Sequence, residues 1–497
     1  MTTMTEQFRE LETLQFSSGS VHVLFAPETL QLFRLNEQAS ESLAEIRDGR
    51  SVEEVCTERG LRPDALEAFL RGVVDAVHAA PPAARPNSGS DVDTFFGPVL
   101  PKLVFMVNNY CNLACSYCYE HDTVFKERAT VMSHETVDAA LESFHQAFRG
   151  FGELMFIGGE PTLSEEVIEY ACERSLAEAE RGGRDVSFSM ITNGARLTEK
   201  MFEIIDRFDV QVTFSVDGPK EVQDAERVFR GGAGSFDKVM VTIGRYREKH
   251  ANKLGVECTL TKTQARKGVT VSDLSRFFAD EVGVSAPHIA AAGLQPGNPL
   301  DPWEGEPPKL EAEFEEAAAR AMDELLEVLA TPGGRGRTRA GLDLVSGMVK
   351  KLIRRRASLQ MCPAGTSQLV VDPHGDVYPC WMFAGMPSFR MGNVARDEVF
   401  NGVATRILQR ILDNDRTRNP QCSKCYARYV CNVCLGNNQN GTGKMEQIDE
   451  RYCNTVRRTL RTVLVKLGEA QADSARWKAV RERATSSQEL EDEGSVC

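Results

Sequence analysis

Short apolar runs recur along the middle of the chain: LVFMV at 103–107, LMFI at 154–157, VSFSMI at 186–191, VQVTFSV at 210–216 and VECTL at 256–260. Their length and their β-branched and aromatic content predict strands. Between them, residues 133–148 and 165–181 carry apolar positions at helical spacing, so the region reads as alternating β and α units. Such alternation implies a parallel sheet with its chemistry at the C-terminal ends of the strands. Upstream, VHVLF at 21–25 and LQLFRL at 30–35 are joined by Ala26, Pro27, Glu28 and Thr29 and predict a hairpin. Ser51 and Glu54 have capping-box spacing, and Pro63 stands where a first helical turn tolerates proline. Residues 310–329 predict an acidic, alanine-rich helix, and the KKLIRRR run at 350–356 continues helical packing. Both read as scaffold, because charged helix faces are usually solvated.

These patterns divide the chain into a small unit of strands and helices at 1–80, a Pro/Gly/Ser-rich linker at 81–101, a β/α region at 102–300 and a helical bridge at 301–359. A cysteine-rich region at 360–467 and a polar helix and tail at 468–497 complete it. At 497 residues, 42% of them hydrophobic and 26% charged, the chain has material for several packed units and lacks the composition of a disordered protein. The net charge of -14, with no dense basic block, argues against nucleic acid or an anionic membrane as partner. The first residues carry acids and no apolar run, so neither a secretory signal nor a membrane anchor is expected, and the expected location is cytoplasmic. Fourteen cysteines in a reducing compartment then point to metal ligation instead of a disulfide framework.

Cys111, Cys115 and Cys118 form C-x3-C-x2-C directly after the first strand of the β/α region. Three such thiolates can hold three irons of a cubane cluster and leave the fourth iron without a protein ligand. A zinc site is the competing reading; it needs a fourth ligand from elsewhere. GGEP (Gly158, Gly159, Glu160 and Pro161) follows the second strand, ITNG with Asn193 ends the third, and SVDG with Ser215 and Asp217 ends the fourth. Each short motif alone could be an ordinary strand-to-helix turn; their joint order is what carries weight.

In that order the motifs resemble the radical S-adenosylmethionine (SAM) superfamily over about residues 103–292. The resemblance implies a partial (β/α)6 TIM-like barrel. In such a barrel the open iron chelates SAM, and one-electron reduction releases a deoxyadenosyl radical that abstracts a substrate hydrogen. It assigns GGEP to the SAM amino group, with Glu160 a carboxylate near the ammonium, and Asn193, Ser215 and Asp217 to SAM contacts. Tyr117 then takes the aromatic position against adenine.

Downstream, Cys362, Gly375 and Cys380 stand as C-x12-G-x4-C, followed by Cys422, Cys425, Cys431, Cys434 and Cys453. CSKC and CNVC taken alone also suit a zinc ribbon. The whole set resembles the SPASM extension, although two residues separate Cys431 from Cys434 where three are usual. The resemblance implies two auxiliary 4Fe-4S clusters, three clusters in all. The distal one would be held by Cys422, Cys425, Cys431 and Cys453, the nearer one by Cys362, Cys380 and Cys434. An open iron on the nearer cluster could then bind a substrate thiolate. Cys56, Cys172 and Cys258 fall within helix or strand patterns and read as buried structural thiols, and Cys497 has no evident partner.

The N-terminal unit, including the turn from LQLFRL into LNEQASESL, resembles the PqqD-like element, a small winged-helix-like α+β domain that binds leader peptides. A structural cap or dimerisation arm is the alternative. The segments SVDGPKEVQDAERVF, CPAG, GDVYPCWMFAG and CSKCYARYVC resemble thioether-forming peptide maturases, including quinohemoprotein amine dehydrogenase maturases and ranthipeptide synthases. The resemblances together imply a radical SAM oxidoreductase that installs a cysteine-to-carbon thioether in a ribosomally made precursor peptide, with flavodoxin or ferredoxin as electron donor. Alternatives are carbon-carbon or carbon-oxygen cross-linking, epimerisation, a sulfatase-maturase-like dehydrogenase, and a non-catalytic zinc-binding or redox-sensing protein. No catalytic acid or base is assigned. Asp224 and Arg227 read equally as SAM or substrate contacts and as a structural ion pair, and His22, His134 and His288 are given no role.

Overall fold

A computed structural model describes residues 3–83, 99–118, 129–303, 307–331, 341–357, 359–396 and 399–486. Most of the expected linker (84–98) and the end of the expected tail (487–497, with Cys497) lie outside the described residues.

The N-terminal unit opens with helix α1 (Met4–Glu10) and a three-stranded antiparallel sheet in the order β1 (Leu14–Ser18), β2 (Val21–Ala26), β3 (Gln31–Leu35). Helices α2 (Glu37–Arg47), α3 (Val52–Arg59) and α4 (Pro63–Ala79) follow. The expected hairpin is the β2/β3 pair, with Phe25 opposite Leu32, whereas β1 and α1 were not foreseen. The Ser51 cap is formed: its hydroxyl accepts from the Glu54 amide at 3.2 Å while the Glu54 carboxylate accepts from the Ser51 amide at 2.8 Å.

Strand β2 is buried on both faces. Leu24 points into a small core with Phe8, Leu43, Ile46, Val55 and Leu70, and Val23 and Phe25 join the main core of the molecule.

That main core is built on a nine-stranded sheet in the order β12-β11-β10-β4-β5-β6-β7-β8-β9. Its parallel strands are β4 (Leu100–Met106), β5 (Phe151–Ile157), β6 (Ser187–Thr192), β7 (Gln211–Ser215), β8 (Leu254–Leu260) and β9 (His288–Ala291). They are connected through α5 (His134–Ala147), α6 (Glu165–Arg181), α7 (Glu199–Phe208), α8 (Lys220–Glu226) with α9 (Phe236–His250), and α10 (Lys262–Arg266) with α11 (Val271–Phe277). This is the expected β/α order with its sixth strand at 288–291. In β8 burial alternates along the strand, with Val256, Cys258 and Leu260 buried and Glu257 and Thr259 half-buried, whereas β4 and β5 are apolar and buried on both faces.

The sheet does not end at β4. Strand β10 (Gln368–Val371) adds in parallel along it, with Leu369 opposite Leu103, and β11 (Asp376–Tyr378) and β12 (Gly392–Asn393) extend it antiparallel. The cysteine-rich region is thereby hydrogen-bonded to the barrel. Two long helices, α12 (Pro307–Ala330) and α13 (Asp343–Arg354), precede it; α14 (Gly402–Asp413), α15 (Leu435–Thr442), α16 (Glu450–Ala470) and α17 (Ser474–Ser486) follow.

Helix α16 packs on α12 and lies across the N-terminal sheet. A Cβ at Gly468 would stand 2.3 Å from Val23 Cγ1, so only glycine lets the helix rest on β2. Arg428, 5% exposed, ties the two regions further through a bidentate pair with Glu12, its Nη1 at 2.6 Å from Oε1. Gly468→Ala is therefore expected to destabilise the protein by about 1–3 kcal/mol through overpacking, read as a lower urea midpoint.

Candidate active site and cysteine clusters

Cys111, Cys115 and Cys118 stand in the loop leaving β4, at the C-terminal end of the parallel strands. The loop is held from three sides. Beneath it, the backbone of GGEP lies directly on residues 108–110: Gly159 N–H donates to Asn108 O at 3.1 Å and Glu160 N–H to Tyr110 O at 2.9 Å. A Cβ on Gly159 would fall 2.3 Å from Tyr110 O, so the second glycine is a requirement of backbone contact. The buried Asn108 side chain closes the joint, donating to Glu160 O and Ser164 Oγ at 2.8 Å each.

Glu160 itself is 1% exposed. Its Oε1 accepts from Thr162 N (3.1 Å), Thr162 Oγ1 and Thr192 Oγ1 (2.6 Å each), and Oε2 accepts from Asn193 N at 2.8 Å. The carboxylate thus fastens GGEP to the TNG turn at the end of β6. Burial raises its pKa, and the hydroxyl and amide donors oppose that rise. Asn193 in turn donates to Cys111 Sγ at 3.5 Å and to Asn112 Oδ1 at 2.8 Å, which links the third strand to the first cysteine.

On the far side, Asp217 is fully buried and joins the loop to the fourth and fifth strands. Its carboxylate accepts from the Tyr117 hydroxyl, from Arg227 Nε at 2.9 Å and from Thr259 N at 3.0 Å. The Arg227 guanidinium lies over the Tyr117 ring, 5.4 Å from its centroid. Arg227 is therefore in a buried ion pair, and Asp224 caps the Phe236 amide at 2.9 Å and pairs with Lys220. Ser116 is held by Glu226, and Ala114 N–H donates to Val228 O at 2.8 Å.

Burial and the nearby Glu160 carboxylate push the Cys111 thiol up to about 12, and burial raises Cys115. Thiols so placed ionise when a cation takes the proton's place.

Ser215 is paired in register with Glu257 of β8, and Glu257 with His288 of β9, so the three side chains occupy one row of the lumen. Behind the row, Asp343 of α13 bonds His288 Nδ1. Burial alone would lower the imidazole; Asp343 outweighs it and lifts His288 to about 9, and burial raises Glu257. No motif marks Glu257 or Asp343, and His288 carries no ligand spacing; only strand register brings them together.

In the second cysteine group the thiols act on one another. Burial raises the Cys380 thiol, and Cys434 and Cys362 raise it further. Cys422, Cys425, Cys431 and Cys453 act on one another: burial and these neighbours bring Cys422 to about 11 and Cys431 and Cys453 to about 12. Cys434 joins Cys380 because α15 packs on the turn after Cys380; a Cβ at Gly436 would sit 2.2 Å from Met382 Cβ. Cys434 is the N-cap residue of α15 and its sulfur accepts from Asn437 N at 3.4 Å. Arg416, 3% exposed, donates to the carbonyls of Met361 and Cys431 and lies beside Cys431, Cys422 and Cys362. A buried cation among thiols fits thiolates bound to metal. Among the described residues no three His, Cys, Asp or Glu side chains converge on a single-ion position. Thiolates at separate corners of a cubane stand farther apart than the ligands of one ion. Cys56, Cys172 and Cys258 are buried in helix or strand, as expected.

Residues 106–264 match the Radical SAM superfamily, and residues 362–426 match the SPASM iron-sulfur cluster-binding domain. The barrel is a radical SAM domain and the cysteine-rich region a SPASM domain. The chain is 24% identical over 340 residues to the cysteine-type anaerobic sulfatase-maturating enzyme of Clostridium perfringens (strain 13 / Type A), covering 67% of this chain and 88% of that protein. It is 29% identical over 301 residues to the mycofactocin maturase MftC of Mycolicibacterium smegmatis, covering 59% of this chain and 67% of that one. The solved structure of native anSMEcpe with bound AdoMet and Cp18Cys peptide shares the fold at a TM-score of 0.60 and 20% identity, over 74% of this chain and 99% of that one. Among the described residues no helix is long and apolar enough to cross a membrane.

Two substitutions test the loop's supports. Gly159→Ala is expected to lower reductive SAM cleavage about a hundredfold by displacing the cysteine loop, with auxiliary-cluster absorbance retained. Asp217→Asn leaves Arg227 buried without its carboxylate and is expected to cost about 3–5 kcal/mol of stability, measured by chemical denaturation.

Proposed function

We propose that the protein is a radical SAM peptide maturase that installs a cross-link, a cysteine-to-carbon thioether, in a ribosomally synthesised precursor. The observation that carries the reading is the division of the seven C-terminal cysteines into a set of three and a set of four. The set of four closes one 4Fe-4S cluster. The set of three, Cys362, Cys380 and Cys434, would hold a second with one iron left for a substrate thiolate, and Cys111, Cys115 and Cys118 would hold a third for SAM. Tyr117, Gly158, Gly159, Glu160, Pro161, Asn193, Ser215 and Asp217 form the SAM-facing rim of the barrel. Glu160 and Asp217 act there by fixing loops, since their carboxylates are engaged within the protein. The relatives named as maturases support a peptide or protein substrate.

Bound at the first three cysteines, the cluster and SAM supply a deoxyadenosyl radical that removes a hydrogen from the substrate. The protein's own contribution is positional. Asp217, Tyr117 and Arg227 keep the cysteine loop over the lumen. The PqqD-like N-terminal unit receives the precursor, and a flavodoxin or ferredoxin provides the electron, all in the cytoplasm. The proposed domain limits are 1–80, 81–101, 102–300, 301–359, 360–467 and 468–497.

Replacing Cys111, Cys115 and Cys118 with Ala is expected to abolish SAM cleavage to deoxyadenosine while auxiliary absorbance persists; retained cleavage would overturn the assignment. Co-expression with a precursor is expected to give a product lighter by two hydrogens per bond whose cysteine no longer alkylates. A free thiol in that product rejects the thioether. A second reading, dehydrogenation of a cysteine or serine side chain, is favoured by the likeness to a sulfatase-maturating enzyme, and it would leave a carbonyl trapped by hydrazide.

A further inference from the structure

Arg416 stands in the loop between α14 and Cys422, and its hydrogen bonds reach both C-terminal cysteine sets. Its amide donates to Leu359 O at 2.9 Å, and its Nη2 donates to Met361 O at 3.2 Å and to Cys431 O. Met361 directly precedes Cys362. One guanidinium therefore joins the chain beside a cysteine of the set of three to a cysteine of the set of four. Arg416 is 3% exposed, and a guanidinium keeps its charge even when buried. Burial works against that charge, while the thiols of Cys431, Cys422 and Cys362 and the Tyr452 phenol favour it.

Cys431 meets a second cation. Lys351 of α13 donates through Nζ to Val430 O at 3.2 Å and to Asn432 Oδ1 at 2.6 Å, the residues on either side of Cys431. Burial raises the Cys431 thiol, and Arg416 and Lys351 both oppose that rise. The surroundings of the SAM-site cysteines have the opposite sign. The buried Glu160 carboxylate acts on Cys111, and Arg227, Asp217 and Glu226 act on Cys115. Arg227 and Asp217 pair with each other at 2.9 Å, which leaves the carboxylates of Glu160 and Glu226 in excess among these groups. A 4Fe-4S cluster gains a negative charge on reduction, so a fixed cation favours its reduced form and a fixed carboxylate its oxidised form.

We propose that Arg416 sets the potential of the distal cluster: its guanidinium, held between Met361 and Cys431 and assisted by Lys351, raises that cluster's reduction potential above that of the SAM-binding one. The proposal deepens the peptide-maturase reading and rests on it for the clusters alone, not for the substrate or the bond formed. A limiting reductant then fills the distal site first. The SAM site stays the more strongly reducing of the two.

The test is a redox titration of the full-length, cluster-loaded protein followed by electron paramagnetic resonance, with iron and sulfide content measured for every variant. The signal that shifts when SAM is added marks the SAM site, and the signal altered by Cys453→Ala marks the distal one. In the wild type the distal signal is expected to appear at the higher potential. Arg416→Gln removes the charge and is expected to move the distal equilibrium towards the oxidised form at least about tenfold, or about 59 mV for one electron, while the SAM-responsive midpoint stays in place. Arg416→Lys keeps the charge and is expected to restore most of that shift. Lys351→Gln, at a half-buried position, is expected to move the same signal in the same direction by less, and it carries the test if Arg416→Gln fails to load iron. The proposal is overturned if the distal midpoint ignores the glutamine variants that load, if Arg416→Lys and Arg416→Gln shift it alike, or if the SAM-site midpoint moves as far. A wild-type protein whose every signal responds to SAM rejects the cluster assignment and this proposal with it. A distal shift in a protein that makes no cross-link rejects the chemistry alone.

Discussion

The backbone of residues 158–160 lies directly against that of residues 108–110, and the barrel's chemistry depends on that contact. Two amide-to-carbonyl bonds and a glycine without room for a methyl group set the height of the cysteine loop above the strands. The inward carboxylate of Glu160 then carries the same constraint to the third strand through Thr192 and Asn193, and Asn193 returns it to Cys111. On the opposite side Asp217 repeats the device with Tyr117, Arg227 and Thr259. Both carboxylates are buried, and both are satisfied by several donors, the condition under which a buried charge fixes geometry instead of destabilising the fold. A radical chemistry that tolerates little misplacement is thereby supported by groups that belong to the strands' ends.

Much of this was legible in the sequence because it is local. Cysteine spacing, GGEP, TNG and SVDG each occupy a few consecutive residues at a strand end, and the strands themselves are short apolar runs bounded by turn residues. Helix 165–181 and the Ser51 cap follow from periodicity and capping chemistry for the same reason. The sixth strand, HIAA, is too short to register as a pattern, and β10 joins the sheet beside β4 across more than two hundred and sixty residues of chain, a pairing no local signal encodes. The lumen row of Ser215, Glu257 and His288 was invisible for the same physical reason: register between strands is decided by the whole sheet. Glu160 and Asp217 could be located from the sequence, but not the partners that engage their carboxylates.

The SPASM region shows how a short spacing is accommodated. Cys431 and Cys434 are separated by only two residues, yet they face different thiol sets. The chain turns into α15 at Cys434, and Gly436 lets that helix close on the turn after Cys380. Arg416 sits beside thiols of both sets, a single buried cation shared by the negative charge that metal-bound thiolates would carry.

Helix α16 spans 21 residues, about 30 Å of stiff rod. Cys453 lies in its first turn, Arg457 and Arg461 in its second and third, and Gly468 near its end against Val23. The N-terminal sheet therefore forms one wall of the body that carries the distal cysteines, seated on the same axle. Because the sheet is packed on the rod, a tilt of the one moves the other, and the Cys453 thiol in its first turn moves with it.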